Sequence, residues 1–143
     1  MADRFVLDAS TLVAALLPDE PVHTAARKWL ERYADGEIRI LAPTLLPYEL
    51  ANSLLTAERG TSRLQSADVD AILRDLENLG LELLAVVPAV AVAAARRYRC
   101  SVYDASYLGL ADAEEVDVIT ADRRLWKSVS PRCKRLRWVE GRG

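Results

Sequence analysis

Phe5-Val6-Leu7-Asp8-Ala9-Ser10 is the stretch that decides the fold. Three apolar residues without polar alternation predict a short strand buried on both faces, as strands are in parallel sheets covered by helices. That strand ends at Asp8, and residues 10–17 read as a helix. The same unit recurs outward from it. Ile38-Arg39-Ile40-Leu41 reads as a strand before a helix over 43–59, with Pro47 in its first turn and Gly60 at its end. Residues 81–87 precede an alanine-rich helix over 88–98, and 116–120 precede a short helix over 121–128. Residues 135–139 read as a last, alternating edge strand. Amphipathic helices fill the gaps over 20–34, 66–79 and 103–114, the first of them introduced by Pro18-Asp19-Glu20-Pro21, which breaks the preceding helix and supplies an N-cap. Strands alternating with helices predict an α/β fold whose parallel sheet is covered on both faces. The crevice at the carboxyl ends of the strands is where chemistry is expected.

The chain has 143 residues, 51% hydrophobic and 28% charged, which predicts one domain over residues 1–143 with a sizeable core. Its longest apolar run, residues 83–95, is shorter than the ~20 residues of a membrane span and contains Pro88. Residues 1–8 carry Asp3 and Asp8, unlike a basic secretory leader. Cys100 and Cys133 lack C-x-x-C spacing, which suits a reduced cytoplasmic protein and excludes a zinc ribbon or a disulfide framework.

The net charge of −2 hides an asymmetry. Residues 122–143 carry Arg123, Arg124, Lys127, Arg132, Lys134, Arg135, Arg137 and Arg142 against Asp122 and Glu140, a balance of +6 that leaves −8 on the rest. A basic end on an acidic body suits nucleic-acid phosphate meeting a cation-gathering site, or is simply a solvated tail. The one histidine, His23, lies opposite the stripe Val22, Ala25, Ala26, Trp29, Leu30 and Tyr33 and reads as a solvated helix residue. Without another, a Ser-His-Asp triad, a Cys-His pair or a His-ligated zinc hydrolase lacks its base. A hydrolase built from this chain must work through carboxylates and a hard metal ion.

Four carboxylates are candidates. Asp8, Asp104 and Asp122 each precede a helix, so capping competes with ligation at each. Glu49 lies among Leu45, Leu46, Tyr48, Leu50, Ala51 and Leu54, where a carboxylate is costly unless paired or metal-bound. Convergence of the four would raise their pKa values or demand a cation. Oxygen donors alone select Mg²⁺ or Mn²⁺, ions suited to phosphoryl chemistry that needs no histidine.

Four segments then carry a family resemblance: Val6-Leu7-Asp8-Ala9-Ser10; Pro47-Tyr48-Glu49-Leu50-Ala51-Asn52; Val102-Tyr103-Asp104-Ala105-Ser106-Tyr107 with Leu110-Ala111; and Val118-Ile119-Thr120-Ala121-Asp122-Arg123-Arg124-Leu125. In this order and spacing, over about residues 5 to 126, they resemble the PIN-domain nucleases, in particular the VapC toxins of toxin–antitoxin pairs. The resemblance implies a three-layer α/β/α sandwich, Mg²⁺ or Mn²⁺ as cofactor, single-stranded or looped RNA as substrate, a homodimer and a small cognate antitoxin. Residue by residue it makes Asp8, Glu49, Asp104 and Asp122 the metal-binding acids, with Ser10 and Thr120 supporting them. Arg123, Arg124 and Lys127, beside the last acid, are candidates for RNA phosphate contacts. The sequence departs from the family at Glu115, where glycine is common before the fourth strand.

The expected function is therefore a metal-dependent endoribonuclease, a toxin of such a pair. The alternatives are a catalytically silent PIN-like scaffold or RNA-binding domain, and a housekeeping RNA-processing nuclease. An aspartate-dependent phosphatase would want an acid where Ser10 stands, and no glycine-rich phosphate loop is present. Among the aromatics, Trp29 reads as core, Trp138 and Leu136 are expected on different faces of the last strand, and Tyr103 and Tyr107 share a helix face near Asp104, in the core or stacked on a base.

Overall fold

A computed structural model describes residues 2–60 and 64–141. Five strands, β1 (Asp3–Leu7), β2 (Ile38–Pro43), β3 (Glu82–Leu84), β4 (Asp117–Thr120) and β5 (Leu136–Trp138), form one sheet in the order β3-β2-β1-β4-β5. Every pairing is parallel. Seven helices flank it: α1 (Ala9–Leu16), α2 (His23–Ala34), α3 (Leu46–Arg59), α4 (Ser66–Leu79), α5 (Pro88–Tyr98), α6 (Val102–Glu114) and α7 (Arg123–Val129). The chain runs from β1 outward through β2 to β3, then crosses back to β4 and β5 on the other side of β1. The helices pack accordingly: α1 on α2 and α3, α3 on α4, and α5 on α6. The result is a three-layer α/β/α sandwich.

The central strands supply the middle of the core. Val6, Leu7, Leu41, Val118 and Ile119 are wholly buried, which is why they show no polar alternation. All predicted elements exist, with shifted ends. Pro43 closes β2 instead of opening α3, and β3 is three residues long where 81–87 was expected. Helix α2 starts at His23, and the residue before it, Val22, adopts a left-handed φ of 58° without any side-chain cap, so the Pro18–Pro21 segment does not supply one. Leu136 and Trp138 are both buried, on one face of β5, because residues two apart on a strand point the same way; the expectation of opposite faces is wrong. Arg142, counted above in the basic end, lies outside the described residues.

Glu115 takes up the family departure. It caps α6 in the left-handed region at φ 55°, ψ 47°, a conformation that suits glycine and strains a side-chain-bearing residue. Its N–H reaches the carbonyls of Ala111 and Asp112, so the turn into β4 closes nonetheless.

Candidate active site

The strand order reverses at β1. The chain moves outward through β2 and β3, then returns to β4 on the other side of β1, so the loops leaving β1 and β4 diverge and open a crevice between them. Leu7 and Ile119 are the last paired residues of these strands, and the Asp8 N–H extends the ladder to the Ile119 carbonyl at 3.2 Å. Asp8 therefore sits at the mouth of the crevice, with Thr120 and Asp122 facing it from the end of β4.

Asp8 is 6% exposed and densely bonded. Its Oδ1 accepts from Ser10 Oγ at 2.6 Å and Thr11 N at 3.0 Å, and its Oδ2 from Thr120 Oγ1 at 2.6 Å, while the single Thr11 Oγ1 proton is shared between Asp8 Oδ1 at 3.1 Å and the Ile119 carbonyl at 2.9 Å. Two of these hydroxyls are themselves oriented by the β4–α7 turn. Ala121 N donates to Ser10 Oγ and Asp122 N to Thr120 Oγ1, each at 3.0 Å. Ser10 and Thr120 thus relay the polarity of two backbone amides onto one carboxylate. Burial nevertheless outweighs these bonds and pushes the Asp8 carboxyl up to about 6. A buried carboxylate that resists ionising despite these donors would be favoured as the anion by a nearby cation.

The other acids reach the same end of the sheet from helix N-termini, whose partial positive charge favours them there. Asp122 caps α7, its Oδ1 accepting from Leu125 N at 3.1 Å. Asp104 is not a cap, contrary to the sequence reading. Ser101 holds that position, accepting from Asp104 N at 3.0 Å, and α6 begins at Val102, which leaves the Asp104 side chain in the first turn. Glu49 lies in the first turn of α3, half-buried, with Oε1 accepting from Tyr107 Oη at 2.7 Å. Burial raises Glu49 above the usual carboxylate range; the Tyr107 bond lowers it and the charge of Asp104 raises it. Burial raises the Asp104 carboxyl, the Ser101 hydroxyl near it lowers it, and the charge of Asp122 raises it again.

The acids are thus electrostatic neighbours but not a closed cage. Among the described residues, no three acid, cysteine or histidine side chains stand close enough together to enclose an ion. Asp8 and Asp122 spend oxygens on helix amides, and Glu49 spends one on Tyr107. The donor set is all oxygen, which fits a hard divalent cation that keeps much of its water and takes only one or two carboxylates directly.

The sequence matches the family model for the PIN domain over residues 5–130. That span runs from β1 to the end of α7 and holds all four acids. The chain belongs to the PIN-domain family. PIN domains are nucleases and generally use divalent metal ions. Among solved structures, PAE2754 from Pyrobaculum aerophilum is similar at 26% identity and a TM-score of 0.66, covering 98% of this chain and 93% of that one. VapC20 of Mycobacterium tuberculosis, a toxin that cleaves the sarcin–ricin loop, shares the fold at 14% identity and a TM-score of 0.62, covering 86% of this chain and 93% of that one. A search of curated proteins gives no match.

In this PIN domain the basic candidates Arg123, Arg124 and Lys127 are all exposed on α7, beside Asp122. Arg123 stacks over Trp138 with its guanidinium carbon 4.8 Å from the ring centroid, so it is held in place, unlike a free tail residue. His23 differs from its sequence reading. It is half-buried, with Nδ1 2.7 Å from the Ala14 carbonyl, and ties α2 to the end of α1. Thr11 was not singled out from sequence, although its place three residues past Asp8 carried a legible helix-start signal. Tyr107, read as core or stacked on a base, packs its ring in the core, and its bond to Glu49 had no signal in the sequence. No helix among the described residues is long and apolar enough to cross a membrane.

Proposed function

We propose that this PIN domain is a Mg²⁺- or Mn²⁺-dependent endoribonuclease that hydrolyses RNA phosphodiester bonds as the toxin of a toxin–antitoxin pair. The observation that carries it is Asp8: buried at the sheet's switch point, held by Ser10, Thr120 and the Thr11 amide, and still pushed up to about 6. In this reading Asp8, Glu49, Asp104 and Asp122 surround the ion, one or two of them directly and the others through its water, and Ser10 and Thr120 fix the Asp8 carboxylate. When bound, a divalent ion supplies an activated water and neutralises charge on phosphate oxygens. The protein's part is to orient the acids before RNA arrives, so little reorganisation remains at the moment of reaction. Arg123, Arg124 and Lys127 place the backbone phosphates of the substrate beside the acids.

A homodimer and a small antitoxin that covers the site belong to the same reading. Exposed apolar residues support a protein partner: Tyr48 at the start of α3, Val87 and Val90 around the start of α5, and Val102 and Tyr103 at the start of α6. Its substrate would place the protein in the cytoplasm, where Cys100 and Cys133 stay free thiols.

The test is cleavage of a cellular RNA pool by purified protein with Mg²⁺, Mn²⁺ or EDTA, alongside Asp8→Asn. Discrete fragments that vanish with EDTA and with the variant are expected. Absence of cleavage by folded, antitoxin-free protein with either metal, on RNAs from several sources, counts against the nuclease in favour of a silent scaffold. Growth arrest on expression, relieved by the product of a neighbouring gene, separates a toxin from a housekeeping nuclease.

A further inference from the structure

Tyr107 is the buried titratable group that the reading above does not use. It is 4% exposed, its ring packed in the main core on α6, and its hydroxyl lies 2.7 Å from Glu49 Oε1 on α3. The bond joins α6 to α3 across 58 positions of sequence. The phenol touches Glu49 and lies within the electrostatic reach of Asp8 and Asp104. Burial, the bond to Glu49 and these charges all favour the neutral phenol, which raises its pKa above the ordinary value. The group therefore stays a hydrogen-bond donor throughout the physiological range.

We infer that Tyr107 is a positioning residue for the acid site, fixing the rotamer of Glu49 so that its Oε2 stays free beside Asp104. The inference rests on the metal-site reading proposed above and goes beyond it by assigning the role to a residue that touches neither metal nor RNA. Three observations carry it. Glu49 is a long, half-buried side chain with several rotamers, and the Tyr107 bond is the one hydrogen bond its carboxylate makes among the described residues. The donor cannot follow Glu49 if it moves, because the tyrosine ring is locked in the core. Glu49 Oε2 is left without a protein donor among the described residues, whereas both oxygens of Asp8 are engaged. A tyrosine kept only for packing would be replaceable by phenylalanine at no cost to the site.

Tyr107→Phe, Glu49→Gln, Asp8→Asn and the Tyr107→Phe/Glu49→Gln double variant test this. Mn²⁺ binding to each is read directly from the electron-paramagnetic-resonance signal of free Mn²⁺, with thermal melting of the metal-free proteins as a fold control. Tyr107→Phe is expected to melt cooperatively and to bind Mn²⁺ about tenfold more weakly, the lower end of losses seen when the partner of a metal ligand is removed. In the Glu49→Gln background the same change is expected to have no further effect, and with RNA it should lower kcat while KM stays put. Equal Mn²⁺ affinity for Tyr107→Phe and the unsubstituted protein, with Asp8→Asn impaired, overturns the inference and leaves the metal site standing. An additive effect in the double variant overturns it too, since Tyr107 would then act other than through Glu49. Undiminished Mn²⁺ binding by Asp8→Asn removes the metal-site reading itself, and the inference with it.

Discussion

Thr120 Oγ1 donates to Asp8 Oδ2 at 2.6 Å and accepts from Asp122 N at 3.0 Å, so a single hydroxyl joins two candidate ligands that stand 114 positions apart across the β1–β4 switch point. Thr120 is wholly buried. Thr120→Val keeps its shape and deletes the hydroxyl, leaving Asp8 Oδ2 and Asp122 N without this partner. The expected cost is about 1–3 kcal/mol of stability, measured by denaturant unfolding. Thr120→Ser, which keeps the donor, should recover most of it.

Asp8 makes the metal-free protein sensitive to pH. Its folded-state value of about 6 lies above the ordinary 3.8, so between those values the folded chain binds more protons than the unfolded one. Stability is therefore greatest at the acid side of this window and falls as pH rises through it, by on the order of 3 kcal/mol from this group. Urea unfolding in EDTA between pH 4 and 7 measures the slope. Asp8→Asn should lessen it, leaving the part due to Glu49 and Asp104, whose carboxyls are also raised.

A divalent ion acts against that penalty. At pH 7 Mn²⁺ or Mg²⁺ should raise the melting temperature of the unsubstituted protein in a concentration-dependent way and leave Asp8→Asn unmoved. Because the ion needs the carboxylate, binding should release protons and weaken as pH falls below about 6. Calorimetry in buffers of different ionisation enthalpy counts those protons.

Arg124 and Lys127 are exposed on α7 beside Asp122. Replacing both with alanine should weaken binding of single-stranded RNA across sequences and lower the salt slope by about 0.7 per lost phosphate contact. Turnover at saturating RNA should be unchanged. Fluorescence anisotropy at several salt concentrations gives the slope, and an unaltered slope removes both residues from the RNA path.

Glu115 holds a left-handed φ of 55° at the exposed end of α6. Glu115→Gly should relieve this strain and stabilise the protein by about 1 kcal/mol, offset in part by the greater freedom of glycine in the unfolded chain. A melting temperature about 3 °C higher is the expected readout. A lower one would show that the Glu115 side chain contributes more than its backbone costs.

What the sequence determined by itself is local or follows from residue type. Unalternated apolar strands announced a parallel sheet, because burial on both faces leaves no room for polar alternation. One histidine and four acids in the family's order pointed to carboxylate chemistry, and the order of the motifs named the family. Its element ends were less legible, since Pro43 and Val22 were settled by strand pairing and loop closure, not by propensity. Tertiary structure alone decided the rest. Tyr103 and Tyr107 share a period on α6, yet one is 65% exposed and the other 4%, because only the second lies deep enough to be covered. Asp104 looked like a cap, and Ser101 took that role. Nothing in the spacing of Glu49 and Tyr107, or of Asp8 and Thr120, foretells hydrogen bonds across 58 and 112 residues. Sequence periodicity reports which face of an element is buried. Which elements then meet depends on the strand order around β1, and that order puts the acids at one end of the sheet.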